Sequence, residues 1–372
     1  MIDILFIHPN ASSIIYQGLA EHHSAIEPPI WAGMLLNSIL SHNGYSAELL
    51  DCEVLHLNND EAIEHIQYLD PVIICFVVYG QQPSASSQNM EGAVSLAEDV
   101  KRNFPEKKVV FVGGHVAALP IETLEKHSCI DICCQNEGVY TILNLIQCIK
   151  SKDNIDMVKG ILYRKDDGHI SHTPPQSIVS QENLARDLPE IDWNRFSNLN
   201  QYRTAGWHAL TNNGNKSPFA ALYTSLGCPF SCKFCCINII NRTSQAYGIG
   251  HSIFRYWPPE YIIKQFDYFA QNNIKNIKIA DELFVYKEEH FLKLCKLIIE
   301  RKYKFNIWCY ARLDTCKPKY LEILKKAGIN WIGLGIESQS NKVRKNVNKG
   351  HNNSLDIRKI VHNIKDVFSF NN

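Results

Sequence analysis

The sequence predicts an α/β protein in two parts. Residues 1–150 read as a doubly wound parallel sheet, and residues 218–372 as a partial (β/α) barrel. Three observations predict this. Short apolar segments rich in Ile, Val and Phe recur between stretches of helical length. The alternation lapses over residues 151–217 and then resumes. A chain of 372 residues can build two hydrophobic cores, and 45% hydrophobic with 20% charged residues is an ordinary globular balance.

In the first part the strand candidates are IDILFIH (2–8), SAELLDC (46–52), VIICFVVY (72–79), KVVFVGG (108–114) and IDICCQN (130–136). Their continuous apolar character fits strands buried on both faces. Between them PPIWAGMLLNSILSHNG, EAIEHIQYL, MEGAVSLAEDVKRNF and GVYTILNLIQCIK read as helices; the first opens on Pro and stops at Gly44. Residues 151–217 form a connector with little core of its own, in which GILYRKDDGHISHTPP reads as a polar hairpin. From Pro218 the strand candidates are AALYTSL, IKNIKIADELF, KFNIWCYARLD and NWIGLGIES. The helices are PPEYIIKQFDYFAQNN, KEEHFLKLCKLIIERK, PKYLEILKKAG and SLDIRKIVHNIKDVF. Four strands do not close a barrel, so an incomplete one is expected.

Composition narrows the function classes. Lys+Arg and Asp+Glu are 38 each, which argues against bulk electrostatic capture of nucleic acid or an anionic membrane. The N-terminal MIDILFIHPN lacks the basic flank and cleavage site of a signal peptide, and no apolar stretch reaches the length of a membrane span. A cytoplasmic location is the expectation. Most of the 13 cysteines fall in apolar segments, as small buried hydrophobes do.

One cluster needs a chemical reason. SLGCPFSCKFCC (225–236) places Cys228, Cys232, Cys235 and Cys236 on one loop after a strand. A disulfide framework is out of place in a cytosolic α/β chain. A Cys-x-x-Cys redox pair would leave Cys228 idle, and a structural zinc site wants a second pair that the downstream sequence lacks. Three thiolates on a tight loop suit a 4Fe–4S cluster whose fourth iron is open to a small ligand. Cys236 is expected to be a bystander, because adjacent loop side chains diverge.

Cys-x-x-x-Cys-x-aromatic-Cys resembles the signature of the radical S-adenosylmethionine (SAM) superfamily. The resemblance implies that Cys228, Cys232 and Cys235 hold the cluster and that SAM chelates the open iron. Electron transfer would then cleave SAM to methionine and a 5′-deoxyadenosyl radical. It places Phe234 near the adenine. ADELF (280–284) resembles the acidic second-strand motif, implying Asp281 and Glu282 at the SAM amino group. YARLD (310–314) makes Arg312 a partner for the SAM carboxylate. GLGIES (333–338) brings Glu337 and Ser338 to the ribose or methionyl part.

The first part is similar to the cobalamin-binding domain of a subfamily that includes class B methyltransferases and anaerobic Mg-protoporphyrin ester cyclases. The resemblance is carried by YGQQPSAS (79–86), GGHVAALP (113–120) and QNEG (135–138). It implies cobalamin contacts from Ser84, Ser86, Gly113, Gly114, His115, Asn136, Glu137 and Gly138. The Asp-x-His-x-x-Gly motif that supplies a lower cobalt ligand in many such domains is absent, and DGHISH (167–172) lies in the connector.

Together these imply a cobalamin-dependent radical SAM enzyme that methylates or cyclises an unactivated carbon. Its substrate would be a small or lipid-like molecule, and its reductant flavodoxin or ferredoxin. The alternatives are a cobalamin-independent radical SAM enzyme and a non-catalytic binding protein truncated at its C-terminus, since relatives carry two further barrel strands. A tRNA methylthiotransferase ranks lower: Cys52, Cys75, Cys129, Cys133, Cys134 and Cys148 are expected within strands and helices rather than in cluster-binding loops. No catalytic side chain is singled out.

Overall fold

A computed structural model of the chain describes residues 1–16, 25–42, 44–80, 83–196, 199–237, 253–349 and 356–368. It forms two compact units. The first comprises residues 1–24, 29–196 and 236–252; the second comprises 25–28, 197–235 and 253–372.

The first unit is built on strands β1 (Ile2–His8), β2 (Ala47–Asp51), β3 (Pro71–Val77), β4 (Lys108–Val112), β5 (Ile132–Cys134), β6 (Ile161–Arg164) and β7 (Ile170–His172). Among the described residues they form a sheet in the order β2-β1-β3-β4-β5-β6-β7. The first five run parallel, in register Ile4 with Ala47, Ile4 with Ile73, Ile74 with Val109 and Val110 with Ile132. Helices Ile30–Leu40, Asn59–Leu69 and Pro83–Asn103 supply crossovers between parallel strands, and Val139–Ser151 leads from β5 to the antiparallel β6. Asn58 caps one of them: its side chain accepts from the Glu61 N–H, and the Glu61 carboxylate returns a bond to the Asn58 N–H. Phe76 and Phe111 stack at 4.9 Å inside the sheet-and-helix core.

The hairpin differs from its expected place. β6 pairs antiparallel with β5, Cys133 opposite Leu162, so the hairpin is the far edge of the first sheet rather than part of a connector. The cause is its apolar leading strand: Ile161, Leu162 and Tyr163 are buried, and only the turn beyond Arg164 is polar and exposed.

The second unit contains β8 (Phe219–Leu222), β9 (Ser225–Leu226), β10 (Arg255–Tyr256), β11 (Asn276–Ile279), β12 (Asn306–Arg312) and β13 (Ile329–Gly335). Four of them form a parallel sheet in the order β13-β12-β11-β8, one strand next to its successor, as in a barrel wall. Helices Pro259–Gln271, Glu288–Glu300 and Pro318–Lys326 cross between them; two start with Pro in the first turn, where no amide donor is needed. The expected strand AALYTSL divides at Tyr223–Thr224, and β9 turns away to pair with β10. At the opposite end of the sheet, buried His208 is held between Thr204 Oγ1 and the Asn306 carbonyl. Burial pushes its pKa down to about 4, so it is a neutral structural ring.

Candidate radical-chemistry site

In a parallel sheet with crossover helices, functional groups collect where the chain leaves the C-terminal ends of the strands. β9 delivers the cysteine loop at that edge. Gly227, with φ +82°, makes the turn, and its N–H donates to Glu282 Oε2 at 2.9 Å. Cys232 is buried, while Cys228, Cys235 and Cys236 are half-buried. Burial pushes the Cys228 thiol up to about 11; a charge on Cys235 adds to the rise and Arg312 opposes it.

Arg312, at the end of β12, approaches this loop from inside. Its Nη1 donates to Cys232 Sγ at 3.3 Å, and its Cζ stands 3.7 Å from the centroid of the Phe230 ring. Asp314 takes the other side of the fork, with Nε to Oδ1 at 2.8 Å and Nη2 to Oδ2 at 2.7 Å. Burial alone would raise the Asp314 carboxyl; the guanidinium overcomes that and holds it below the ordinary range. Arg312 is thus a buried bridge between a thiol and a carboxylate.

Asp281 follows β11 and has no exposed surface. Its Oδ1 accepts from the Thr224 N–H at 2.6 Å, and its Oδ2 from the Thr224 and Ser225 hydroxyls, both at 2.6 Å. This carboxyl ties the end of β11 to the break between β8 and β9. Burial pushes it up to about 6 against these bonds. Glu282 goes further, to about 7, through burial and the neighbouring Asp281 charge, with backbone donors opposing. Of the two, Glu282 has the smaller set of protein donors and is the less fully buried residue.

Glu337 and Ser338 follow β13. Glu337 is exposed, in the left-handed region at φ +61°, and pairs with Lys349 Nζ at 2.9 Å. Lys349 lies 5.8 Å from the ring centroid of Phe234, itself 54% exposed, so cation, carboxylate and aromatic face share one patch. Gly335 makes room for it: a Cβ there would fall 2.8 Å from Lys349 Nζ. The Ser338 carbonyl accepts from buried Arg344. The segment ending in Lys349 also reaches the cysteine loop, with the Lys233 N–H donating to the Val347 carbonyl at 3.0 Å and Cys232 Sγ 3.7 Å from the Asn348 carbonyl.

Sequence reasoning missed Thr224, Ser225, Phe230, Asp314 and Lys349. A usable signal existed for two of them. Asp314 stands two residues after Arg312, the spacing for a same-side fork, and Phe230 is an aromatic residue inside the three-cysteine loop.

In the first unit the loop expected after β3 is already helical from Pro83, and the Ser84 side chain lies outside the described residues. Ser86 is buried in that helix; its hydroxyl donates to the Val78 carbonyl and accepts from the His115 N–H. At Gly113 a Cβ would lie 2.1 Å from the Val78 carbonyl oxygen, so the absence of a side chain lets the segments after β3 and β4 approach closely. Gly114 begins the short helix Gly114–Ala118, and His115 Nδ1 meets Ser87 Oγ at 2.9 Å. Burial first, then Lys126, lowers the His115 pKa, leaving a neutral ring at neutral pH. Asn136 donates to the Gln176 carbonyl, the buried Glu137 carboxylate accepts from the Val179 N–H, and Gly138 caps the helix Val139–Ser151. These groups share the C-terminal edge of the sheet, but Ser86, Asn136 and Glu137 serve the fold first.

Cys52 and Cys129 lie in turns, unlike the expectation for the N-terminal cysteines; Cys75, Cys133, Cys134 and Cys148 are in strands or a helix. All six are buried, and burial raises each thiol, Cys129 to about 11 and Cys134 to about 12.

The donor set of the cysteine loop fits a multi-iron cluster. Among the described residues no three His, Cys, Asp or Glu side chains converge on a single ion. A 4Fe–4S cluster makes a different demand, since each thiolate binds its own iron. Acidic acceptors and a half-exposed aromatic face beside the loop fit the ammonium and adenine of SAM. In the first unit Ser87 and His115 form a polar pair at the C-terminal edge of the sheet, and the histidine motif is absent.

Residues 222–370 match the model of the Radical SAM superfamily, and residues 18–146 match the B12 binding domain. The chain is 24% identical over 327 residues to an uncharacterized methyltransferase of Pyrococcus horikoshii, covering 87% of this chain and 63% of that protein. It is 23% identical to the anaerobic magnesium-protoporphyrin IX monomethyl ester cyclase of Rubrivivax gelatinosus, covering 93% and 57%. In fold it is similar to the cobalamin-dependent S-adenosylmethionine radical enzyme OxsB with aqua-cobalamin and S-adenosylmethionine bound. That match has a TM-score of 0.67 at 20% identity and covers 98% of this chain and 48% of the other. The chain thus spans between about half and two thirds of the length of these proteins. Among the described residues no helix is long and apolar enough to cross a membrane.

Proposed function

From a chain that belongs to the radical SAM superfamily and carries a B12-binding domain ahead of its radical SAM domain, we propose an enzyme that methylates, or closes a ring at, an unactivated carbon of a small or lipid-like substrate. When bound, the cluster and SAM supply a carbon-centred hydrogen abstractor, and cobalamin supplies a methyl group. The observation that carries the reading is the loop with thiols at Cys228, Cys232 and Cys235, presented at the C-terminal edge of the sheet beside Arg312 and Glu282.

The residues of this chain have distinct tasks. Cys228, Cys232 and Cys235 would hold three irons. Asp281 fixes the strand ends under the loop, because its three donors come from Thr224 and Ser225. Glu282, pushed up to about 7 by burial, would receive the methionyl ammonium of SAM as the charged partner that favours its ionised form. Phe234, with Lys349 and Glu337 around it, offers a face for the adenine and an acceptor for the ribose. Ser338 lies next to that acceptor. An external one-electron donor such as flavodoxin or ferredoxin would supply the electron.

Anaerobic reconstitution tests this. We expect about four irons per chain and 5′-deoxyadenosine from SAM under reduction. Alanine at Cys228, Cys232 or Cys235 abolishes stable iron uptake, and Cys236→Ala retains it. An indispensable Cys236, or a cluster-loaded wild type that does not cleave SAM, would sink the proposal.

A second reading, radical SAM chemistry without cobalamin, draws on the absence of the Asp-x-His-x-x-Gly motif and on the engagement of Ser86 with Val78 and His115. Titration with hydroxocobalamin separates the two: saturable binding supports the first, and its absence the second.

A further inference from the structure

We infer that Arg312 is a positioning residue for the iron–sulfur cluster, and that its hydrogen bond to Cys232 raises the cluster's reduction potential. This rests on the reading of Cys232 as a cluster ligand.

The guanidinium has been aimed. Asp314 occupies Nε and Nη2 through two parallel bonds, which fixes the plane of the fork. Phe230 lies against the flat face, 3.7 Å from Cζ, and stops rotation out of that plane. On the side that Asp314 leaves open, Nη1 donates to Cys232 Sγ at 3.3 Å. Both residues are 6% exposed, so water does not compete for this bond.

The bond is of the kind that survives ligation. Metal binding displaces the thiol proton and leaves a sulfur that only accepts. The Asn348 carbonyl, 3.7 Å from Sγ, can engage the thiol but not the thiolate. Arg312 is a donor, and its bond strengthens when the sulfur becomes anionic. Reduction adds negative charge that spreads onto the cluster sulfurs, so a donor to one of them favours the reduced form. Asp314 offsets the formal charge of Arg312. The directional N–H, rather than the net charge, is therefore the larger lever.

The sequence resemblance assigns Arg312 to the SAM carboxylate. A guanidinium with five donors can serve both ends, but the groups that orient it here are Asp314, Phe230 and Cys232. The expectation is a residue whose loss changes the cluster even with no SAM present.

The test is a redox titration of the reconstituted full chain without SAM, following the reduced cluster by electron paramagnetic resonance. At fixed potential we expect Arg312→Met to hold a reduced-to-oxidised ratio about tenfold below wild type, which is 59 mV for a one-electron couple. Arg312→Gln, which keeps an N–H donor, should fall between them. Asp314→Asn leaves the cation uncompensated and should move the ratio the other way. Should the Met variant fail to take up iron, Gln and Asp314→Asn decide on the same readout. Variants that load iron and titrate like wild type overturn the inference and leave the cluster reading intact. A wild-type chain that takes up no cluster overturns both.

Discussion

Asp281→Asn is the substitution whose effect can be worked out most fully. The carboxyl is completely buried, and burial raises its pKa from 3.8 to about 6 even though three donors favour ionisation. A displacement of about two pH units corresponds to roughly 3 kcal/mol at 1.36 kcal/mol per unit. The sign follows from linkage. Between about pH 4 and pH 6 the folded chain keeps a proton that the unfolded chain has released, so the unfolding free energy falls as pH rises. The contribution is complete below about pH 4 and lost as pH passes about 6. Glu282, raised to about 7, extends the decline toward neutrality, and the adjacent carboxyls titrate as a pair.

Asn preserves size at position 281. Its amide oxygen can accept from the Thr224 N–H, and its NH2 can donate to the Thr224 and Ser225 hydroxyls once they rotate. The variant should therefore remove about half of the pH-dependent loss and exceed wild type at neutral pH. Urea unfolding of the apo chain across this range, followed by tryptophan fluorescence, measures it. An unchanged slope would show that Asp281 does not hold the proton. A variant less stable at every pH would show that the hydroxyls cannot turn.

Other perturbations test the frame around the site. Lys278, 1% exposed, pairs with Glu27 at 3.0 Å and stands 4.5 Å from the Trp308 ring centroid. Glu27→Gln should cost roughly 2–3 kcal/mol, less than a fully buried pair because Glu27 is 31% exposed, and Lys278→Met in that background should recover it. No recovery in urea unfolding would refute the buried-charge account. The Tyr310 hydroxyl is buried without a hydrogen-bond partner among the described residues, so Tyr310→Phe should leave stability unchanged or raise it by about 1 kcal/mol. A clear loss would mean the hydroxyl is satisfied. Gly113→Ala, at φ +153° with a Cβ 2.1 Å from the Val78 oxygen, should cost on the order of 3 kcal/mol in thermal unfolding. Gly44→Ala, at φ +97° in open space, should cost only about 1, and equal losses would discount the close approach.

The β and α segments were legible because each rests on a pattern a few residues long. Apolar runs such as IDILFIH and VIICFVV mark doubly buried strands, and Pro at helix starts marks boundaries. The hairpin was legible as a hairpin but not as a sheet edge. Which strand it joins depends on the unsatisfied edge of β5, over twenty residues earlier in the chain. That the segment carrying Ser84 and Ser86 is helical was not legible for a local reason: Pro83 reads equally as a loop residue or as the first residue of a helix.

By itself the sequence determined the cysteine loop, since Cys-x-x-x-Cys-x-x-Cys is a relation among neighbours that holds however the rest folds. It also determined which residue types stand at the ends of β11, β12 and β13. What those residues touch was decided by the tertiary structure. Asp281 meets Thr224 and Ser225 across 57 and 56 positions because β11 lies beside β8 in register. Arg312 meets Cys232 across 80, and Lys278 meets Glu27 across 251. The reason is physical: spacing along the chain fixes local geometry, whereas the partner of a buried charge is chosen by whichever acceptor the packed strands bring within about 3 Å of it.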